Sequence, residues 1–327
     1  MMTADQATYL VFGIVLTLAL IFDLGLLSKR GKKVTIRQAL YQTFFWVGLA
    51  LIFFVFMWLR NGQTIALEYL SSYLMEWSLS IDNIFVFILI FSAFGVREKH
   101  YGRVLLIGIM MAIVFRIIFI TLGVALVDRF YWILYIFGVF LIYTGFKMFV
   151  SDEEEEFDPQ QSRVYKFLKR FLPLVPHDGD GRFSVRHDGK RAYTTLFVVV
   201  IMLASIDIIF ALDSIPAVMG ITRDKVVIYT SNIFAVLGLR SLFFLLRGAV
   251  NKFEYLPQGI AIVLIFIGVK MLIEHWVNQW LSDTVQVFIS LGVIMICLSG
   301  SIFYSIFMDK KKLPPADEGR GGEKSPY

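Results

Sequence analysis

Long apolar runs separated by short polar segments dominate this chain. A helix needs about 20 predominantly apolar residues to cross the hydrocarbon core of a bilayer, and runs of that kind recur along the sequence. The pattern predicts nine membrane-spanning helices. They fall at about residues 8–27, 39–59, 66–94, 101–126, 130–150, 194–219, 225–247, 257–273 and 284–307. The predicted fold class is therefore an all-α polytopic membrane protein.

Basic residues alternate between rich and poor loops, which predicts the orientation. The first loop carries Lys29, Arg30, Lys32 and Lys33, whereas the next has only Arg60 at its edge. Loop 151–193 carries eight Lys or Arg residues, and loop 274–283 has none and is flanked by Trp276 and Trp280. Because cytoplasmic loops are enriched in Lys and Arg, we expect a multi-pass protein of the inner membrane, with its N-terminus outside and its C-terminus in the cytoplasm.

Composition narrows the class of function. The chain is 57% hydrophobic and has a mean hydropathy of +0.71. Its net charge of +5 comes from loop residues, so the expected partner is the lipid bilayer and not nucleic acid. The single cysteine, Cys297, allows neither an intramolecular disulfide nor a thiolate metal site. The N-terminal run lacks the basic start and the cleavage site of a signal peptide.

Two segments of the chain repeat each other. Ser80-Ile81-Asp82 matches Ser205-Ile206-Asp207, and three further landmarks follow in the same order in both copies. These landmarks are Gly95 and Gly220, Arg116 and Arg240, and the strings Gly145-Phe146-Lys147 and Gly268-Val269-Lys270. Each copy contains three spans, so the copies enter the membrane from opposite sides. Inverted repeats of this kind are typical of secondary transporters, which bind substrate near the midplane between the repeats.

The repeat defines the predicted domain organisation. A two-helix segment, 1–65, precedes the first three-helix repeat, 66–150, and the second repeat is 194–273. The cytoplasmic loop 151–193 opens with the acidic run 152–156, interpreted either as a solvated segment or as a metal-collecting patch. Residues 182–194 of that loop predict a β-hairpin with Asp188-Gly189 in its turn. A final helix, 274–308, leads into a tail, 309–327, that is expected to be disordered.

Carboxylates inside the spans predict a metal site. Each costs at least about 2.5 kcal/mol at a helix centre on insertion scales, so intramembrane acids are a functional hypothesis by default. The acids are Glu76, Asp82, Asp207 and Asp213, with Asn83, Asn232, Ser80, Ser205 and Ser214 as further oxygen ligands. Oxygen-only sets favour Mg²⁺, Ca²⁺ or Mn²⁺. No catalytic residue and no resident cofactor is expected beside the transported or bound divalent cation.

The spacing of these acids argues against a site in which both acids of one helix face the same ion. Glu76 and Asp82 are six residues apart, which places them roughly 120° apart on a straight helix, and Asp207 and Asp213 have the same spacing. Either these helices are broken, which Pro216 would allow in the second repeat, or one acid of each pair binds the ion directly. Asp82 and Asp207 are then the better ligands. Arg116 and Arg240 are interpreted as gating or charge-pairing residues, and the alternative is that the acids are purely structural partners of these arginines.

Several strings resemble the TerC family of membrane proteins, and the Alx-type members in particular. They are Glu76-Trp-Ser-Leu-Ser-Ile-Asp82-Asn83, Asp207-Ile-Ile-Phe-Ala-Leu-Asp213-Ser214-Ile-Pro216-Ala, and Thr230-Ser-Asn232 through Arg240. The resemblance implies metal-ion homeostasis, including Mn²⁺ export and association with tellurite resistance, and it places the functional acids at the four positions named above. One departure is Ala204, where many members carry a Glu, so this site has one negative charge fewer.

The sequence thus predicts an exporter of a divalent cation, Mn²⁺ in particular, that works by alternating access and is not an enzyme. The choice of Mn²⁺ and the direction of transport follow from the resemblance. One alternative is a non-transporting membrane subunit or sensor in metal or tellurite stress, acting through loop 151–193. A remote alternative is an intramembrane aspartyl protease, because two intramembrane aspartates are its minimum, although neither Asp82 nor Asp207 has the usual Gly-x-Gly-Asp or Tyr-Asp context.

Overall fold

The computed structural model describes residues 4–22, 34–150, 161–187, 190–247 and 255–312, and these are almost entirely helical. The helices are α1 Ala4–Phe22, α2 Ile36–Asn61, α3 Gln63–Ala93, α4 Glu98–Arg129, α5 Ile133–Val150, α6 Arg163–Phe171, α7 Thr195–Met219, α8 Lys225–Leu246, α9 Leu256–Trp280 and α10 Asp283–Lys312. A short 3₁₀ turn, Gly179–Gly181, and strands β1 Ser184–His187 and β2 Lys190–Tyr193 lie between α6 and α7.

The helices confirm a polytopic membrane protein of the all-α class. Every predicted span overlaps one helix of the described chain, and residues 23–27 of the first span lie outside the described residues. Seven of those helices, α2 to α4 and α7 to α10, are long and apolar enough to cross a membrane, and α1 and α5 contain shorter apolar stretches. The count of nine spans therefore stays a prediction. Large apolar side chains such as Leu59, Ile296 and Phe303 are exposed on the outer surface, as lipid-facing residues are.

Local sequence signals explain where several helices begin. Thr35 and Gln38 form a reciprocal capping box at the start of α2, and the Asp224 side chain accepts a hydrogen bond from the Val227 amide at the start of α8. Gly62 separates α2 from α3 with a φ of +94°, a conformation that other residues rarely adopt. The three helices that these signals begin or separate, α2, α3 and α8, pack against one another in the bundle.

Helix pairing relates the two predicted repeats. α3 packs against α8, and α4 against α7, so each pairing maps onto the other when the repeats are exchanged. Both pairs run parallel, as successive contacts show: Tyr69 with Phe234 and Phe91 with Phe243 in the first, and Gly108 with Leu203 and Gly123 with Ile215 in the second. α8, almost wholly buried, occupies the centre of the bundle.

The last helices of the two predicted repeats, α5 and α9, correspond to each other and cross in antiparallel fashion at close range. Gly138 meets the carbonyl of Gly268, and Gly145 meets Ile265 and the carbonyl of Ala261. A Cβ on Gly145 would lie 2.6 Å from Ile265 Cγ1, so only glycine fits at this crossing. An antiparallel contact between corresponding helices is what an inverted repeat requires. The domain boundaries given above stay predictions.

One end of the molecule, here termed the hairpin end, carries the predicted β-hairpin. Its strands pair antiparallel with Ser184 opposite Tyr193, and the turn at 188–189 lies outside the described residues. Arg97 holds this segment to the bundle through two hydrogen bonds of 2.5 Å to Asp178. These bonds lower the pKa of Asp178 to about 2. The stabilisation that this ion pair provides is therefore fully present at pH values above the ordinary pKa of aspartate, and it is lost as the pH falls through about 2.

The structure also differs from the predicted boundaries. The segment 274–283 was predicted as a loop, but α9 continues to Trp280 and α10 begins at Asp283, since no Gly or Pro interrupts residues 274–280. Helix α6 was not predicted, because its polar face breaks the apolar run on which the prediction relied. Residues 309–312, assigned to a disordered tail, continue α10. The acidic run 152–156 and residues 313–327 lie outside the described residues.

Candidate functional site

A buried arginine organises the candidate site. Arg116, on α4, is 1% exposed and reaches three side chains on three other helices. Its Nη1 donates to Glu76 Oε2 at 2.6 Å and to Asn232 Oδ1 at 2.8 Å. Its Nε and Nη2 donate to the two carboxylate oxygens of Asp207, both at 3.1 Å. The guanidinium therefore uses its planar fork for a bidentate pair with Asp207 and a second charged contact to Glu76.

Both repeats contribute to this arginine cluster, defined as Glu76, Arg116, Asp207 and Asn232. Glu76 and Arg116 lie on α3 and α4 of the first repeat, and Asp207 and Asn232 lie on α7 and α8 of the second. The parallel packing of α4 along α7 places Arg116 directly beside Asp207. The cluster thus straddles the contact between the repeats, where a transporter places its substrate.

Burial makes the charges of this cluster strongly interacting. Glu76 and Asp207 are at most 1% exposed, so neither carboxylate is solvated by bulk water. Removing a charge from water costs several kcal/mol, and a close opposite charge with hydrogen bonds offsets that cost. Because two carboxylates share one guanidinium, ionised acids leave the arginine cluster with an excess negative charge. That excess favours a cation nearby.

Several buried polar atoms around the arginine cluster have no hydrogen-bond partner among the described residues. They include Glu76 Oε1, Asn83 Oδ1, Ser80 Oγ, Ser214 Oγ and Asn232 Nδ2. Buried polar groups in proteins are normally hydrogen-bonded, so such a concentration is unusual. Four of the five atoms are oxygens, which can accept a hydrogen bond or bind a hard cation.

A cavity adjoins the arginine cluster and receives two of these residues. It has a volume of about 60 Å³, enough for a few water molecules. Arg116, Asn83 and Ser214 line it together with Thr144 and Met148 of α5, and Leu79, Phe210 and Leu264 complete its wall. α5 therefore brings two side chains to the site that the sequence did not single out as site residues, although Met148 belongs to the repeated string that begins at Gly145. Thr144 lies one position before the repeated Gly145, so the repeat landmark was the available signal.

The predicted site residues are placed as follows. Glu76, Asp207 and Asn232 meet at Arg116, and Asn83 and Ser80 are buried on the same helix as Glu76. Ser205 instead donates to the carbonyl of Ile201 on its own helix, at 2.8 Å. Arg240 is buried at the position that the repeat relates to Arg116. The side chains of Asp82 and Asp213 lie outside the described residues, so their predicted role stays a prediction.

The proposed broken helices are not observed in the described backbone. α3 is continuous through Glu76 and Asp82, and α7 is helical on both sides of Pro216. Among the described side chains, no three acids, histidines or cysteines converge on one point. Instead of the acids of one helix, the structure pairs Glu76 of α3 with Asp207 of α7 through Arg116. Helix pairing between repeats, which spacing within a helix does not reveal, decides this arrangement.

The fold and the buried polar site define a polytopic membrane protein with a charged centre between two related helix triplets. Residues 61–313 match the integral membrane protein TerC family, and the chain belongs to that family. No solved structure matches it.

Several relatives align with this chain over most of its length and of their own. An uncharacterized membrane protein of Myxococcus xanthus is 40% identical over 291 residues, 89% of each chain. A Rickettsia bellii membrane protein is 38% identical over 299 residues, 91% of this chain and 97% of its own. An Escherichia coli K12 protein named "Putative membrane-bound redox modulator Alx" is 37% identical over 320 residues, 95% of this chain and 96% of its own.

Proposed function

We propose that this protein exports a divalent metal cation, Mn²⁺ in particular, across the inner membrane by alternating access. The observation that carries the proposal is the group of buried oxygens, beside the arginine cluster and its cavity, that have no hydrogen-bond partner among the described residues. A structural salt bridge alone needs neither of them. Oxygen ligands suit Mn²⁺, Mg²⁺ and Ca²⁺, and the choice of Mn²⁺ rests on the resemblance to metal-exporting family members.

Arg116 gives the proposal a mechanism. A divalent cation and the guanidinium compete for the same carboxylates, Glu76 and Asp207. When the cation binds, it supplies the positive charge that these acids require, and Arg116 releases Asp207. Because Arg116 and Asp207 belong to different repeats, this release weakens a link between the repeats. Cation binding is thereby coupled to the motion that opens the site to the other side.

The Escherichia coli relative is named a "putative membrane-bound redox modulator", and metal export is compatible with an effect on redox state. These 327 residues contain one cysteine, Cys297, so a disulfide cannot form within the sequence. We propose that a redox effect of this protein acts through the metal ions it moves, since the cellular supply of a redox-active metal changes when it is exported.

Metal content of cells that express the protein tests this function. The wild type is expected to lower cellular Mn and raise Mn²⁺ tolerance relative to the empty vector. Glu76→Gln and Asp207→Asn remove site charge without changing side-chain size, and both are expected to abolish the effect. Asp128→Asn is the matched control, because Asp128 is an exposed partner of Lys225 at the end of α4. Unchanged Mn content with every variant, at equal membrane abundance, would contradict export.

Two alternatives give different outcomes. A non-transporting sensor or subunit predicts that the effect on cellular Mn needs a second protein and disappears in purified vesicles. An intramembrane protease predicts cleavage of a membrane-anchored reporter that stops with Asp82→Asn and is unaffected by Mn²⁺. Neither catalytic geometry nor a partner interface among the described residues favours these alternatives over transport.

A further inference from the structure

The short helix α6 lies at the hairpin end, between α5 and the hairpin. Its nine residues, Arg163–Phe171, contain four basic side chains and no acidic ones. The helix begins with a defined cap, because Ser162 Oγ accepts a hydrogen bond from the Tyr165 amide. Its charge is therefore held in a fixed geometry against the bundle.

Contacts with the bundle place α6 at the level of the membrane boundary. The Tyr165 ring packs on Phe94, at the end of α3, with ring centroids 5.3 Å apart. Ser162 Oγ lies 3.5 Å from the sulfur of Met202, which is seven residues, or about 10 Å, into α7. α7 has 25 residues and extends about 37 Å, slightly more than the roughly 30 Å hydrocarbon core. Its first two turns therefore cross the boundary between hydrocarbon and headgroups.

The side chains of α6 fall into three sectors. Leu168 is buried against the bundle. At about 100° per residue, Phe171 and Phe167 point roughly 60° and 100° to one side of Leu168. They are 62% and 61% exposed, and their rings are 4.6 Å apart. The remaining directions carry the basic side chains Arg163, Lys166, Lys169 and Arg170, all exposed.

We propose that this outer face of α6, formed by the two phenylalanines and the four basic residues, binds the anionic surface of the bilayer leaflet at the hairpin end. The aromatic pair inserts at the acyl boundary, and the basic side chains contact lipid phosphates. Aromatic and basic residues on adjacent faces characterise helices that lie in the membrane interface. Each Lys or Arg near an anionic surface raises the equilibrium constant for binding to that surface by about fivefold.

Fluorescence of a label on α6 tests the contact in the full-length protein. In a Cys297→Ser background, Phe171→Cys is labelled with bimane and the protein is reconstituted into phosphatidylcholine vesicles with or without phosphatidylglycerol. Brominated lipid is expected to quench the label strongly in anionic vesicles, where aqueous iodide is excluded. In neutral vesicles lipid quenching is expected to fall and iodide access to rise.

Removal of the α6 charges tests whether the helix recognises anionic lipid or only lies close to the bilayer. Replacing Arg163, Lys166, Lys169 and Arg170 by Gln is expected to abolish the difference between the two vesicle types. The matched control replaces four exposed basic residues of the hairpin region by Gln, namely Arg182, Arg186, Lys190 and Arg191, and is expected to retain it. In the same Cys297→Ser background, a bimane label at Arg186→Cys should not respond to lipid charge.

Three results would overturn the proposal. The first is equal iodide access of the Phe171→Cys label in both vesicle types. The second is a lipid response that survives removal of the four α6 charges. The third is protection that appears only after a protein fraction is added, which would assign this face to a protein partner.

Discussion

Arg116 is the residue on which the architecture of the site depends. It joins Glu76 of one repeat to Asp207 and Asn232 of the other. The sequence predicted the acids and both arginines, because a charge within an apolar run is conspicuous. It did not predict that Glu76 and Asp207 share one guanidinium, since spacing along a helix carries no information about which helices meet.

Loss of the guanidinium leaves two buried carboxylates without their counter-ion. We therefore expect Arg116→Met to destabilise the protein by about 3–5 kcal/mol, the usual cost of breaking a buried ion pair from one side. Thermal unfolding in detergent measures the change. Combining Arg116→Met with Glu76→Gln and Asp207→Asn should recover much of the loss, because no unpaired charge remains. Strictly additive losses would show that the arginine cluster does not act as a unit.

The hydroxyl of Ser214 has no hydrogen-bond partner among the described residues, so its removal should change ion binding without changing stability. Ser214→Ala removes no hydrogen bond that the described structure contains, so unfolding should be nearly unchanged. Its oxygen lines the cavity, so the apparent affinity for Mn²⁺ is expected to fall, roughly 10-fold.

The matched control for this serine is Ser241→Ala. Ser241 Oγ is equally buried but donates to the carbonyl of Gly238 at 2.9 Å, away from the cavity. It should lose a little stability and keep its affinity for Mn²⁺. Titration of Mn²⁺ transport measures both variants. An unchanged affinity in Ser214→Ala would remove this hydroxyl from the ion site.

At the scale of elements, the sequence was informative where a single pattern decides the structure. Apolar runs located the long helices, and the spacing around Asp188-Gly189 located the hairpin strands. Prediction from the sequence failed where a helix extends beyond the apolar run or lacks one. α9 runs past its apolar stretch to Trp280, and α6 is amphipathic and short. A criterion based on continuous hydrophobicity therefore missed the C-terminal end of α9 and the whole of α6.

The α5–α9 crossing gives a prediction at this scale. A Cβ on Gly145 would lie 2.7 Å from the carbonyl oxygen of Ala261, a backbone atom that cannot move alone. Gly145→Ala is therefore expected to push the helices apart and cost about 1–3 kcal/mol, as overpacking does. Gly48→Ala on α2 is the control, because nothing lies within 4 Å of its added Cβ. Equal thermal unfolding of the two variants would contradict the close crossing.

At the scale of the whole molecule, the repeat explains why the site lies where it does. Exchanging the repeats exchanges the α3–α8 and α4–α7 pairs, and the arginine cluster lies at the contact between them. The order and spacing of the landmarks predicted the repeat from the sequence, but not which helices pair. The relative direction of the copies rested on loop charge, and antiparallel packing of α5 and α9 supports it independently.

Ion pairs also join elements at both ends of the molecule. At the hairpin end Arg97 contacts Asp178 and Arg247 contacts Glu98, whereas Arg223 contacts Glu274 at the opposite end. Exposed pairs of this kind contribute little to stability. Under the proposed alternating access, these pairs are the contacts expected to break and form at the two ends as each side opens.

Flux of Mn²⁺ into proteoliposomes that contain only the purified protein is the decisive test of transport through the arginine cluster. We expect uptake by the wild type and by Asp128→Asn, and no uptake above empty vesicles by Asp207→Asn, at equal reconstituted amounts. Glu76→Gln should fail in the same way. Absence of Mn²⁺ flux in the wild type, or full flux in Asp207→Asn, would contradict the account that the buried arginine cluster forms part of an ion-transport site.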